Sequence, residues 1–266
     1  MGRRLIYIRP QASGYLPLTT AWIAATGETD TTILNALNTF EGTLISNSLT
    51  SLITAYYPMV GGTSTKHAFN FMNTSLYNLT FNGWWTHSAT GALPNGTNAY
   101  ANTGLNASSV LTQSDNHIGY YSRTNAAVAS RCAIGCYVSG TNFLGLRLKL
   151  TTGNADAYNA SSGATQFISV TNSDSTGMYI ASKTSSAIGG LVLYRNGSSI
   201  GSNSGAITTN TYPNTNIIIG ARDASNQFDN KECAGAIIGL GLTAGQVSTL
   251  STAINTLNTS LSRNTY

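Results

Sequence analysis

Residues 143–150, Phe-Leu-Gly-Leu-Arg-Leu-Lys-Leu, constrain the fold more than any other stretch, because Leu144, Leu146, Leu148 and Leu150 alternate with Arg147 and Lys149. Successive side chains of an extended chain point to opposite faces, so this period of two predicts a strand with one apolar and one charged face. Short runs of the same kind, at 117–122, 167–170 and 177–180, recur between clusters of Gly, Asn, Ser and Asp. Many short strands joined by such turns predict a mainly β chain whose two antiparallel sheets pack as a sandwich. The stretch LVLYRNGSSIGSNS at 191–204 adds a hairpin, with Asn196-Gly197 suited to the positive φ angles of a two-residue type I′ turn.

The period changes at both ends of this region. Asp30 is placed to cap a helix in which Ile33, Leu37, Phe40 and Leu44 share one stripe. A second stripe, Leu49, Leu52, Ile53 and Tyr56, follows Ser46-Asn47-Ser48 and predicts another short helix ending at Pro58. At the far end Thr243 and Gln246 have the spacing of a capping box, and Val247, Leu250, Ile254, Leu257 and Leu261 step behind them by threes and fours. Residues 1–27, broken by Pro10, Gly14, Pro17 and Gly27, read as an extended arm. The expected organisation is an arm at 1–27, a helical segment at 28–58 covering one end of the sandwich, the sandwich itself at 59–242, and a C-terminal helix and tail at 243–266.

Charged residues make up only 8% of the chain, against roughly 25% in an average soluble protein. Ser, Thr, Asn and Gly must therefore hydrate the surface, a composition common in extracellular and virion proteins. The 13 Lys and Arg residues are scattered, so no basic stripe exists to follow a phosphate backbone, and nucleic acid is not an expected partner. Apolar runs fall far short of the roughly 20 residues of a bilayer span, so no membrane insertion is expected. The four apolar residues between Arg4 and Arg9 are too few for the core of a cleaved signal peptide. Three cysteines leave at least one thiol unpaired. Cys132 and Cys136 would sit about 13 Å apart on a strand, too far to bridge each other. Buried free thiols, one disulfide to Cys233, or a metal site remain open, although His67, His87 and His117 have no metal-ligand spacing.

From residue 190 onward the order is strand, Asn-Gly turn, strand, then Ile217-Ile218-Ile219-Gly220, then Cys233–Gly239, then Leu242-Thr243 and a helix. This succession resembles the concanavalin A-like, laminin-G-type jelly-roll family, and Asn95–Ala101 is similar to the family's opening strand. A narrower likeness runs through Tyr57-Pro58-Met59-Val60-Gly61-Gly62-Thr63, Lys66–Phe71, Thr86–Thr97 and Tyr120–Thr124. These strings resemble uncharacterised proteins of tailed bacteriophages that infect Bacteroidetes, crAss-like phages included. That likeness implies a virion component, assembled in the host cytoplasm, released by lysis, and in contact with other virion subunits as a homo-oligomer.

Nine acidic residues give little material for hydrolysis. Asp229 and Glu232 are three apart, which on a strand turns them to opposite faces and marks a solvated loop end rather than an acid–nucleophile pair. No nucleophile elbow, zinc-protease motif or phosphate loop is present, so no enzymatic activity and no cofactor is expected. Calcium would have only Asp174 with Asn172, or Asp223 with Asp229, and is not assigned. The family resemblance implies ligands at loop rims, where sugars stack on aromatic rings and bond to amides and hydroxyls. The adjacent pair Trp84-Trp85 is the leading candidate, because neighbours on a strand face opposite ways; Tyr100, Tyr158 and Tyr212 are the others. The expected function is a virion structural subunit of tail, fibre, spike or head decoration whose lectin-like sandwich attaches to host-surface glycans. A purely structural subunit without ligand and a glycan depolymerase are the alternatives.

Overall fold

The computed structural model describes residues 14–139, 142–160, 166–207 and 211–266, so the first thirteen residues of the expected arm lie outside it. Two antiparallel sheets pack face to face as a sandwich. The eight-stranded sheet contains β1 (Ile53–Tyr57), β3 (Trp85–Ser88), β4 (Gly91–Pro94), β6 (Asn116–Ser122), β11 (Gly177–Lys183), β12 (Leu191–Arg195), β13 (Ser198–Ser202) and β15 (Cys233–Gly239). Its order is β13-β12-β11-β6-β15-β4-β3, and β1 pairs with β15 beyond the reach of β4. The seven-stranded sheet contains β2 (Thr80–Asn82), β5 (Tyr100–Asn106), β7 (Ile134–Tyr137), β8 (Phe143–Arg147), β9 (Asn154–Asn159), β10 (Ile168–Thr171) and β14 (Asn216–Ile219), ordered β10-β9-β8-β7-β14-β5-β2.

Alternation places the core. Leu144, Leu146 and Leu148 face inward with Ile118, Tyr120, Tyr179, Leu193, Ile217 and Ile219 between the sheets. Arg147 turns outward and pairs with Asp156. Strands β6, β11 and β15 are buried along their whole length. Their second face meets a helical layer, which explains why those sequences lack a clean polar alternation.

That layer consists of α1 (Pro17–Thr26), α2 (Thr31–Ser46) and the C-terminal helix; two short helices, α3 (Ser64–His67) and α4 (Ala107–Val110), precede it in the chain, making the C-terminal one α5 (Ala244–Ser260). Trp22, Leu37, Phe40, Leu44, Val247, Leu250 and Ile254 pack with Tyr121, Met178, Ile180 and Ile237 from the outer face of the eight-stranded sheet. The helices thus cover a sheet face, not one end of the sandwich. Asp30 accepts from the amide of Thr32, and Thr243 with Gln246 forms a complete capping box.

Two boundaries differ from expectation. Residues 17–26 form a helix rather than an extended arm: Pro17 stands in its first turn, and Gly27 closes it in the left-handed region at φ 64°. Its open amides are met by Glu41 of α2, whose carboxylate accepts from Leu18 N, Thr19 N and the Thr19 hydroxyl. The second expected helix is a single 3₁₀ turn, Thr50–Leu52, followed by β1, so the sheet begins before residue 59. The hairpin between β12 and β13 turns at Asn196 (φ 53°) and Gly197 (φ 82°), with an irregularity at Leu193/Tyr194.

Candidate functional site

Strands β3 and β4 form a hairpin at the edge of the eight-stranded sheet, in which Trp85 pairs with Pro94 and Thr86 with Leu93. Gly83 leads into it at φ 72°, and a Cβ there would run into the carbonyl of Asn98. This close approach fixes the Asn95–Asn98 turn beside the hairpin. Asn95 Oδ1 accepts from the amides of Thr97, Asn98 and Ala99, while Asn98 Oδ1 accepts from Asn95 Nδ2 and the amide of Trp84.

The two tryptophans then diverge. The Trp85 ring is half-buried, donates through Nε1 to Asn82 O at 3.1 Å, meets Phe81 edge-on at 5.2 Å and lies nearly parallel to His87 at 6.3 Å. Trp84 is 79% exposed, more than any other large apolar residue among those described. Trp84, Trp85, Thr86, Leu93, Asn95 and Asn230 line an open groove of about 580 Å³. Its walls combine apolar ring surface with amides and a hydroxyl, and no titratable group lines it. Asn230 Oδ1 is buried there without a hydrogen-bond partner.

The other candidates are dispersed. Tyr100 is half-buried opposite Asn82, its ring 6.5 Å from Phe228. Tyr158 sits on the outer face of the seven-stranded sheet, stacked on Phe167 at 4.7 Å, with the Arg147 guanidinium 5.0 Å from its ring centroid. Burial, with Asp156 beside it, pushes the Tyr158 hydroxyl up to about 12. Tyr212 is not a surface platform: it is 7% exposed, and its hydroxyl donates to Asn159 Oδ1 and accepts from Asn116 Nδ2. A ring whose hydroxyl closes a buried amide network has no face left for a sugar.

Six acidic side chains are tied to cations: Glu28 to Lys66, Asp156 to Arg147, Asp174 to Arg195, Asp223 to Arg222, Asp229 to Lys231 and Glu232 to Arg123. Asp229 and Glu232 are therefore not a solvated loop end; Asp229 and Lys231 are each 1% exposed. Burial alone would raise Asp174, but the amide and hydroxyl of Thr176 and the Arg195 guanidinium hold it below the usual carboxylate range. Among the described residues no three His, Cys, Asp or Glu side chains converge as a metal site. The three cysteines are buried free thiols.

One association escaped the sequence. His67 and His87, solitary by spacing, meet Nδ1 to Nδ1 at 2.9 Å, so one donates and the other accepts. Burial, then the neighbouring His87 and Arg263, pushes His67 down to about 3, while burial lowers His87. Asn230 carried no signal either, because the loop before β15 brings it to the hairpin only in three dimensions.

No family model matches the sequence, and no curated protein matches it. Among solved structures, the chain is similar to domain 4 of AbnA, a GH43 extracellular arabinanase from Geobacillus stearothermophilus, with a TM-score of 0.53 and 13% identity over 75% of this chain and 98% of that domain. It is similar to Trypanosoma rangeli sialidase, with a TM-score of 0.53 and 12% identity over 82% of this chain. A structure of botulinum neurotoxin type C gives 0.52 and 10% over 79% of this chain. The chain spans 38% of the sialidase and 53% of the toxin structure. At these identities the likeness establishes the β-sandwich fold.

Proposed function

We propose that the protein is a glycan-binding virion subunit of a tailed phage, a homo-oligomer that docks to other virion subunits and presents the Trp84–Trp85 groove to the host surface. The observation that carries the reading is the pairing of a freely exposed indole, Trp84, with a half-buried one, Trp85, in a groove rimmed by Asn95, Asn230 and Thr86. Indole faces cover the C–H face of a pyranose, and amides and hydroxyls meet its hydroxyl groups. Repeated weak sites on one particle reinforce one another, so a single groove need not bind tightly.

The neighbouring folds support the same reading. The arabinanase domain was solved in complex with arabinotriose, and the type C neurotoxin enters cells through interaction with two ganglioside molecules. Binding without hydrolysis is favoured over the depolymerase alternative because no carboxylate lines the groove. The phage setting rests on the likeness of residues 57–124 to tailed-phage proteins. A ligand-free subunit would instead bury Trp84 and Leu93 against a neighbour.

The test is a glycan array probed with multivalent wild-type protein and with Trp84→Ala. Retention of a defined glycan set by the wild type and its loss in the variant support the proposal. A wild type that retains no sugar, together with a Trp84→Ala change that dissolves an oligomer, would establish the structural alternative.

A further inference from the structure

The described part of the chain contains six arginines, and five have partners. Arg123, Arg147, Arg195 and Arg222 pair with carboxylates, and Arg263 donates to the carbonyls of Pro58, Met59 and Ala234. Arg131 is the sixth. Among the described residues no hydrogen bond, ion pair or ring contact engages its side chain, which is only partly exposed.

Its position gives that solitude a meaning. Gly96, in the turn that carries Asn95, has no side chain, and the Arg131 guanidinium occupies the space: a Cβ on Gly96 would collide with Nη1 and come within 3.1 Å of Asn230 Cβ. The Arg131 guanidinium thus lies against the turn that carries Asn95 and, like Asn230, packs on Gly96, so it stands next to the two amides that rim the tryptophan groove without lining that groove itself. The nearest acidic residue in sequence to this rim, Asp229, is occupied by Lys231 Nζ at 3.0 Å and by the amide of Asn230. Among the described residues, the cation beside the groove rim is therefore uncompensated, whereas the other five described arginines are paired.

We infer that the groove takes an acidic saccharide, its carboxylate bound by Arg131 and its ring laid on Trp84 and Trp85. This rests on the glycan reading above and adds the ligand's charge to it. A guanidinium offers two parallel N–H donors that match the two oxygens of a carboxylate, a geometry the single ammonium of lysine lacks. Uronic acids and sialic acids both carry such a carboxylate on a pyranose ring, and the shared chemistry does not choose between them.

The experiment compares the full chain with Arg131→Gln, Arg131→Lys and Trp84→Ala by isothermal titration, after thermal melts have shown which variants keep the wild-type fold. The ligands are an oligogalacturonate, its carboxyl-reduced counterpart, sialyllactose, lactose and a sulfated oligosaccharide. The expected result is at least about tenfold tighter binding of one carboxylated ligand than of its neutral counterpart, weakening as salt rises. Arg131→Gln should abolish that preference while leaving the neutral affinity, Arg131→Lys should restore part of it, and Trp84→Ala should weaken both ligands. Equal wild-type affinity for acidic and neutral ligands, or preference for sulfate alone, would overturn the acidic-sugar inference and leave the glycan reading standing. No binding of any of the five ligands, with none retained on the array, would overturn both.

Discussion

At the scale of single residues, exposure separates the side chains that hold the fold from those free to bind. Trp84, at 79% exposure, contributes little to packing, so Trp84→Ala should change the free energy of unfolding by no more than about 0.5 kcal/mol in a urea titration. Tyr212 is the opposite case. Removing its hydroxyl leaves the amides of Asn116 and Asn159 short of a partner, and Tyr212→Phe should cost about 1–3 kcal/mol in the same titration with sugar binding unchanged. Sequence alone could nominate both because each is a large aromatic with a polar handle. It could not rank them, since the buried network around Tyr212 joins residues from three distant strands and loops. The tryptophan pair was legible as two adjacent rare side chains, although only Trp85 lies in strand β3. Arg131 and Asn230 were not, because Asn230 reaches the groove, and Arg131 the turn beside it, on loops whose paths depend on the closed sandwich.

At the scale of elements, local signals succeeded wherever the chain solves its own boundary. The Asp30 cap, the Asn196-Gly197 turn and the Thr243–Gln246 capping box form as their residue types and spacings imply. Thr243→Ala removes the side-chain acceptor for the amide of Gln246 and should destabilise the protein by about 0.5–2 kcal/mol, read as a lower urea midpoint at unchanged slope. Two elements were misread for physical reasons. Pro17 and Gly27 look like chain breakers, yet proline in the first helical turn and glycine just past the last are the ordinary limits of a helix. Strand β1 is part of the eight-stranded sheet, with Ala55 and Tyr57 facing the core between the sheets and Ile53 and Tyr56 facing the helical layer; it is buried on both faces apart from Thr54, so it shows no alternation. The apolar residues around it fell by chance at helical spacing.

At the scale of the whole molecule, stability should depend on pH through histidines that the fold keeps neutral. Burial lowers His67 to about 3 and His117 to about 4, from an ordinary value near 6.5. The unfolded chain therefore takes up protons that the folded chain refuses as pH falls from about 6.5 toward 4, and stability declines across that window by about 1.4 kcal/mol per pH unit for each fully buried histidine. The loss is absent above pH 6.5. A urea titration series between pH 4 and 7.5 should show it, and His117→Asn should flatten part of the slope. Layering governs this behaviour: His117 lies beneath the helical layer near Leu240, whose carbonyl accepts from its Nδ1, and the His67–His87 contact lies behind Trp85. The sandwich as a whole was readable from its short alternating runs, whereas the helices' position over a sheet face was not, since periodicity identifies an apolar stripe without naming what covers it. Glycan binding by this molecule depends on the groove between Trp84 and Asn230. Its most direct test is a fluorescence titration of the wild type and Trp84→Ala, matched in melting temperature, with the glycan best retained on the array. Saturable quenching is expected in the wild type, with an affinity at least about tenfold weaker in the variant. Equal affinity in the two proteins would contradict it.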